Sequence, residues 1–235
     1  MAANALVDAL EKTTAVAMAS GKPLAERLNM IADQVRELSP EFAHAVDTFV
    51  GRLNGAEAGA KAPHVGEALP SFVLPDQNGR LVSLDELLRE GPVVVAFLRG
   101  HWCPYCRITA AALGEIAETA RGLGARIVAI TPESRQFARQ LDADTASAFP
   151  ILADFDNGYA LSVNLAIWVD ESMSSLIAGA GWDIPAYQGN DAWMLPIPAV
   201  FVLGRDGVIV ARHVNPDYRE RADLNDIVAS LRALA

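Results

Sequence analysis

Leu24, Leu28, Ile31, Val35 and Leu38 recur at spacings of four and three, so one face of an α-helix collects them all. Ser39-Pro40-Glu41 then reads as a fresh helix start. A serine can cap the first turn, a proline is preset for it, and an acid suits its positive end. The next stripe is Phe42, Val46, Phe49 and Leu53, stopped by Asn54-Gly55 and a run of small residues to Ala62. Residues 1–60 therefore read as a helical extension. Its two apolar stripes call for a cover, which is either the main domain or a second subunit in a homodimer.

From Pro63 the pattern changes. Phe72-Val73-Leu74 and Leu81-Val82 flank Asp76-Gln77-Asn78-Gly79, and Asn-Gly is a strong hairpin signal. Val93 to Leu98 is an unbroken apolar run, as expected of a strand buried on both faces. Ile108 to Arg121 reads as a helix that Gly122 and Gly124 end, and Ile127 to Ile130 as the next strand. Strand, helix and strand in this order imply a parallel pair with a right-handed crossover. Ser134 to Leu141 reads as a short helix and Phe149 to Ala153 as a short strand. Residues 155–195 read as helix plus long loop, with Trp168, Trp182, Tyr187 and Trp193 as packing. Val200–Leu203 and Val208–Ala211 flank Gly204-Arg205-Asp206-Gly207, a second hairpin, and Asp223 caps a last helix. The fold class this predicts is α/β, a central mixed β-sheet flanked by helices over residues 61–235.

The chain has 235 residues, 51% hydrophobic and 20% charged, the balance of a soluble globular protein. A net charge of -10 repels phosphate backbones and anionic lipids, so neither nucleic acid nor membrane is expected as a partner. The first 21 residues hold Asp8, Glu11 and Lys12 and lack a basic start before an apolar stretch. That is not the pattern of a secretory signal, and the cytoplasm is the expected location.

The chemistry lies in the chain's 2 cysteines, Cys103 and Cys106. So close a pair cannot staple distant segments. It follows a strand and opens a helix. There the positive end of the macrodipole and free backbone N–H groups favour thiolate over thiol, and Pro104 fits the first turn. Arg99 and His101 would add positive charge if they point at the sulfurs. A metal site is the rival reading, with His64, His101 or His213 as further ligands, but one C-x-x-C supplies only two of the four ligands of a structural zinc. Helix geometry favours Cys103 as the attacking thiolate, at the mouth of the turn. Cys106 lies one turn inward, where apolar surroundings raise a thiol's pKa.

Four ordered blocks carry a resemblance. They are Val65 to Asp76, Gly91 to Cys106, Phe149 to Asp154 and Leu195 to Val202. In them the chain resembles the alkyl hydroperoxide reductase / thiol-specific antioxidant (AhpC/TSA) family of the thioredoxin-like superfamily, and most closely a peroxiredoxin-like branch with a W-C-P-Y-C centre. The resemblance implies a thioredoxin-like fold, no cofactor and a thiol-dependent antioxidant oxidoreductase. Its substrate would be a hydroperoxide, and its reductant a thioredoxin-like protein or a low-molecular-weight thiol. A protein disulfide oxidoreductase and a metal-delivery protein on the same fold are the alternatives. Cys103 and Cys106 would be catalytic, supported by Arg99, Trp102, Pro104, Tyr105 and Pro198. The family pattern P-x-x-x-T-x-x-C places Arg99 at the proline, Cys103 at the threonine and Cys106 at the attacking cysteine. Against the helix-geometry argument, the alignment thus favours Cys106. The family arginine before the later strand is replaced by Pro198, and by likeness to thioredoxins the Ile197–Pro198 bond is expected to be cis.

Overall fold

The computed structural model of the chain describes residues 2–235, with side chains from residue 5 onward. Three helices come first: α1 (Ala2–Ala19), α2 (Leu24–Leu38) and α3 (Pro40–Gly55). The Ser39 side chain accepts from the Phe42 N–H and Pro40 takes the first turn, so the break falls where the sequence pattern places it. The hairpin strands β1 (Val73–Pro75) and β2 (Leu81–Ser83) follow, then α4 (Leu84–Glu90) and β3 (Val93–Phe97). Next come α5 (Pro104–Gly122), β4 (Arg126–Thr131), α6 (Arg135–Thr145) and β5 (Ile151–Ala153). The segment after them holds α7 (Gly158–Ser162), β6 (Ala166–Trp168), α8 (Glu171–Ala180), α9 (Ile184–Gln188) and β7 (Met194–Pro196). The chain closes with β8 (Ala199–Leu203), β9 (Ile209–Val214) and α10 (Leu224–Leu234), capped by Asp223.

The main sheet runs β5-β4-β3-β8-β9. β3, β4 and β5 are parallel, and β8 and β9 run antiparallel to their neighbours, so the sheet is mixed as predicted. All five residues of β3 are buried, because successive side chains point to opposite faces and both faces are covered. Val94 and Ala96 join an apolar cluster with α1, α2, α3, α5 and α10. Val93, Val95 and Phe97 join one with Phe72, Leu84 and Tyr159.

The helical extension belongs to the first of these clusters. Leu28, Ile31, Val46 and Phe49 pack in it together with Leu113 of α5. Arg27, whose side chain is 4% exposed, reaches across to Glu115 of α5 with contacts of 2.5 and 3.1 Å. Most of the apolar stripes of α2 and α3 is thus covered by the chain's own sheet-and-helix body, while Leu38 at the end of α2 stays 47% exposed.

Two expectations need correction. Residues 155–195 are not helix plus loop alone, because β6 and β7 pair, with Ile167 opposite Leu195. Strands of three residues whose partner lies so far along the chain leave no local periodicity to read. The aromatic residues there do not form one packed cluster either, since Trp168 is 63% exposed. Second, the Ile197–Pro198 bond is trans, as no cis peptide occurs among the described residues. The Ile197 N–H donates to Leu165 O at 2.7 Å, which extends the β6–β7 pairing by one residue before the chain enters β8 of the main sheet.

If the extension shares its core with the sheet, Phe49→Ala should cost about 3–5 kcal/mol, the usual effect of emptying a buried aromatic site. Phe49 is 3% exposed. Urea unfolding followed by far-ultraviolet circular dichroism should show one transition moved to lower urea. Two separated transitions, with only the first moved, would mean that the extension folds by itself.

Candidate active site

β3 delivers the chain to Arg99, Gly100 turns it, and α5 takes over at Pro104 with Cys103 as its N-cap. Gly100 has φ +138, and a Cβ there would lie 2.4 Å from the Glu133 carboxyl carbon. Glu133 is completely buried and accepts from the His101 N–H at 2.7 Å and from the His101 ring Nδ1 at 2.6 Å. Burial pushes its carboxyl group up, against the pull of His101. His101 also stacks on Phe137, with centroids 4.8 Å apart. It is therefore engaged by the carboxylate side of the loop rather than serving as the sulfurs' cation.

Both cysteines are reduced and buried, Cys103 at 1% and Cys106 at 0% exposure. Their ionisation is opposite in sign. Burial raises the Cys103 thiol well above its ordinary value, and its hydrogen bond to Cys106 raises it further. Burial works against ionisation of Cys106 too. There, however, the Cys103 hydrogen bond, the charges of Arg221 and Arg99 and the Arg99 backbone N–H outweigh it, and the pKa falls to about 5. The Arg99 N–H donates to Cys106 Sγ at 3.2 Å, and Arg221 Nη2 lies 3.9 Å from the same sulfur. The balance at the inward sulfur thus favours thiolate at Cys106, against the helix-geometry expectation for Cys103. A sulfur one turn inside a helix is not in an apolar place when donors and cations converge on it.

Of the predicted supporting residues, four gather here. The Arg99 guanidinium sits between the rings of Trp102 at 5.0 Å and Tyr218 at 4.0 Å. Pro104 opens α5, and Tyr105 meets Tyr218 edge to face at 5.4 Å. Pro198 lies between β7 and β8 and is not among the residues around the cavity at Cys103. Arg107 is turned to Glu11, and the Thr109 hydroxyl is bonded to the Tyr105 carbonyl of its own helix. Sequence reasoning missed Glu133, Tyr218 and Arg221. Arg221 is 115 residues from Cys106, in the loop between β9 and α10, and nothing local marks it.

A narrow cavity of about 50 Å³ reaches Cys103, Arg99, Trp102 and Tyr105. Its other walls are mostly apolar side chains from α1, α2, α3 and α8, with Arg36 and Arg219 also on the lining. Among the described residues no group of three or more His, Cys, Asp or Glu side chains could hold a metal ion. His64 is bonded instead to Ala60 O and to Arg212. No described helix is long and apolar enough to cross a membrane.

Comparison with known proteins agrees with this architecture. A rice protein described as peroxiredoxin Q, chloroplastic (Oryza sativa subsp. japonica), is 32% identical over 92 residues, 39% of this chain and 42% of the relative. The match thus spans less than half of that relative's length. The crystal structure of peroxidoxin BcpB from Mycobacterium tuberculosis superposes with a TM-score of 0.57 at 20% identity, covering 73% of this chain and 97% of that one. Peroxiredoxin 6 of Arenicola marina gives 0.59 at 14% identity, covering 73% of each chain. The fold is therefore that of the thioredoxin-like peroxiredoxins. Residues 65–212 match the AhpC/TSA family model, more than half of the chain, and the protein belongs to the AhpC/TSA family.

Proposed function

We propose that the chain is a thiol peroxidase that reduces hydroperoxides through a Cys103/Cys106 dithiol–disulfide cycle. The arrangement that carries this reading is at Cys106, where the Cys103 thiol, the Arg99 N–H and two guanidinium groups favour a thiolate. Cys106 Sγ attacks the terminal peroxide oxygen. An S–O bond forms, the O–O bond breaks, and the electron pair leaves on the alkoxide, which takes a proton and departs as the alcohol or, from hydrogen peroxide, as water. Cys106 is then a sulfenic acid. Cys103 condenses with it, forming the disulfide and releasing water. A thioredoxin-like dithiol or a low-molecular-weight thiol returns the pair to its reduced form by exchange.

Burial favours this reading over protein disulfide exchange. With Cys103 at 1% exposure and Cys106 at 0%, a small peroxide fits the approach far better than a folded protein does. We assign the helical extension to residues 1–60 and the peroxiredoxin-like domain to 61–235, in keeping with a family match that starts at residue 65. A dithiol that must be re-reduced suits a reducing compartment, and we place the protein in the cytoplasm on that ground.

The assignment of the two sulfurs has a direct consequence. Under limiting peroxide with a sulfenic-acid probe, Cys103→Ser should label at Cys106, and Cys106→Ser should label at least tenfold more slowly. Tryptic mass spectrometry reads the site. Labelling confined to Cys103 in the Cys106→Ser variant would exchange the two roles.

Because the thiolate is the reactive form, alkylation of the reduced protein should fall only as pH drops through about 5, and should be level across neutral pH. Arg221→Gln removes one of the two nearby cations. An opposite charge at this range lowers a pKa by about 1–3 units, so the half-point should climb by at least one unit. A half-point that stays put in Arg221→Gln would show that Arg221 does not stabilise the thiolate.

A further inference from the structure

Arg221 brings Nη2 to 3.9 Å from Cys106 Sγ, while its Nη1 donates to the Tyr218 and Glu220 carbonyls. Its Nε is buried and has no hydrogen-bond partner among the described residues, and the same holds for Nε2 of His213. The arginine Nε–H is a donor at every physiological pH. The imidazole Nε2 is an acceptor when the neutral ring carries its proton on Nδ1. Two buried, unpaired groups of opposite kind need an explanation.

The fold brings them to one place. His213 lies on β9 opposite Val200 of β8. Ala211, two positions earlier on the strand, packs in the apolar cluster that also holds Cys106, so the imidazole turns to that same face of the sheet. There His213 lines a small cavity of about 110 Å³ with Ala222, Asp223, Asp226 and Ile227, and Arg221 directly precedes Ala222. The charged groups that face His213 are Arg221 and Glu220 from the loop, Asp223 and Asp226 across the cavity, and Arg212 on its own strand. Burial first, and then the Arg221 charge, favours the neutral ring over the pull of Glu220. The Asp223 side chain is occupied in capping α10, where it accepts from the Asn225 N–H.

We propose that His213 is a positioning residue for the reaction: through a water in this cavity its neutral imidazole accepts the Arg221 Nε–H, and so holds the Arg221 guanidinium on Cys106. The inference rests on the reading of Cys106 as the attacking thiolate and names the residue that sets one of its two cations. A polar cavity of this size has room for a bridging water, and such a bridge is nearly as favourable as a direct hydrogen bond. The physical need is one of restraint. An arginine side chain has about 2 kcal/mol of rotamer entropy to lose, and its planar head acts only when it is held in one orientation. The two carbonyls bind Nη1 alone. A hold on Nε as well fixes the plane of the head and keeps Nη2 on the sulfur. Without it the charge can swing away from Cys106, and the thiolate loses part of its stabilisation.

The test is the pH half-point for iodoacetamide alkylation of Cys106 in the reduced full chain, with tandem mass spectrometry to assign the labelled sulfur. His213→Leu removes the acceptor and should raise the half-point by about half a unit or more, a part of the 1–3 units that a nearby opposite charge is worth. His213→Ala should move it the same way, which keeps the test open if one of the two variants does not fold. His213→Gln places an amide oxygen close to the position of Nε2 and should leave the half-point where it is in the unaltered protein. In an Arg221→Gln background His213→Leu should add no further shift, because residues that act through one another are not additive. The proposal is overturned by a half-point that neither His213→Leu nor His213→Ala moves, by one that His213→Leu moves equally with and without Arg221, or by a His213→Gln protein shifted as far as His213→Leu. Consumption of hydrogen peroxide by the unaltered protein, with dithiothreitol as reductant, is followed alongside. Its absence would overturn the peroxidase reading, while the alkylation half-points still decide whether His213 acts through Arg221.

Discussion

A bare thiolate sealed from water would be costly, because burial removes the solvent that stabilises charge. At Cys106 that cost is met by four groups that reach one sulfur: the Cys103 thiol, the Arg99 backbone N–H, and the guanidinium groups of Arg99 and Arg221. They come from three parts of the chain, the end of β3, the start of α5 and the loop between β9 and α10. The arrangement links the thiolate to folding, since it is stabilised only when sheet, α5 and C-terminal loop are assembled. The same interaction divides the labour between the sulfurs. The Cys103 thiol's own ionisation is disfavoured, while the hydrogen bond between the sulfurs shifts Cys106 toward thiolate.

The loop that holds Arg99 is itself held by a second buried ionisable group. Both oxygens of Glu133 accept from His101, and Gly100 passes so close that any side chain would strike the carboxyl group. This clamp on residues 100 and 101 fixes the start of the turn into Cys103. It also engages His101, the one imidazole next to the motif, in a hydrogen bond with Glu133. The cations near Cys106 are therefore two arginines, Arg99 and Arg221.

The departures from the family pattern become intelligible at this site. The resemblance places Arg99 where peroxiredoxins have proline, and Pro198 where they have arginine. Arg99 brings a backbone N–H and a charge to the sulfur, and Arg221 brings a second charge from a different element. Cys103, at the position of the family threonine, supplies the hydrogen-bond donor on the other side. Positive charge at the sulfur is retained while the residues that carry it have moved.

Much of this protein is dictated by patterning over short stretches of chain. The stripes of α2 and α3, the capped start at Ser39, the two glycine-bearing hairpins, the all-apolar β3 and a C-x-x-C opening a helix are each written within a dozen residues or so, and local physics suffices to read them. Arg99, Trp102, Pro104 and Tyr105 are legible for the same reason, as neighbours of the motif. Pairing across long sequence separations is not. β6 and β7 are three residues each and exist because Ile167 meets Leu195, and no local pattern around Pro198 marks its peptide as trans. Nor can the sequence choose between the sulfurs. Helix position alone favours the outer cysteine, but a pKa depends on every charge and donor within a few ångströms. The groups that lower the pKa of Cys106 include Arg221, a residue 115 positions away that only the closed tertiary fold carries to the sulfur.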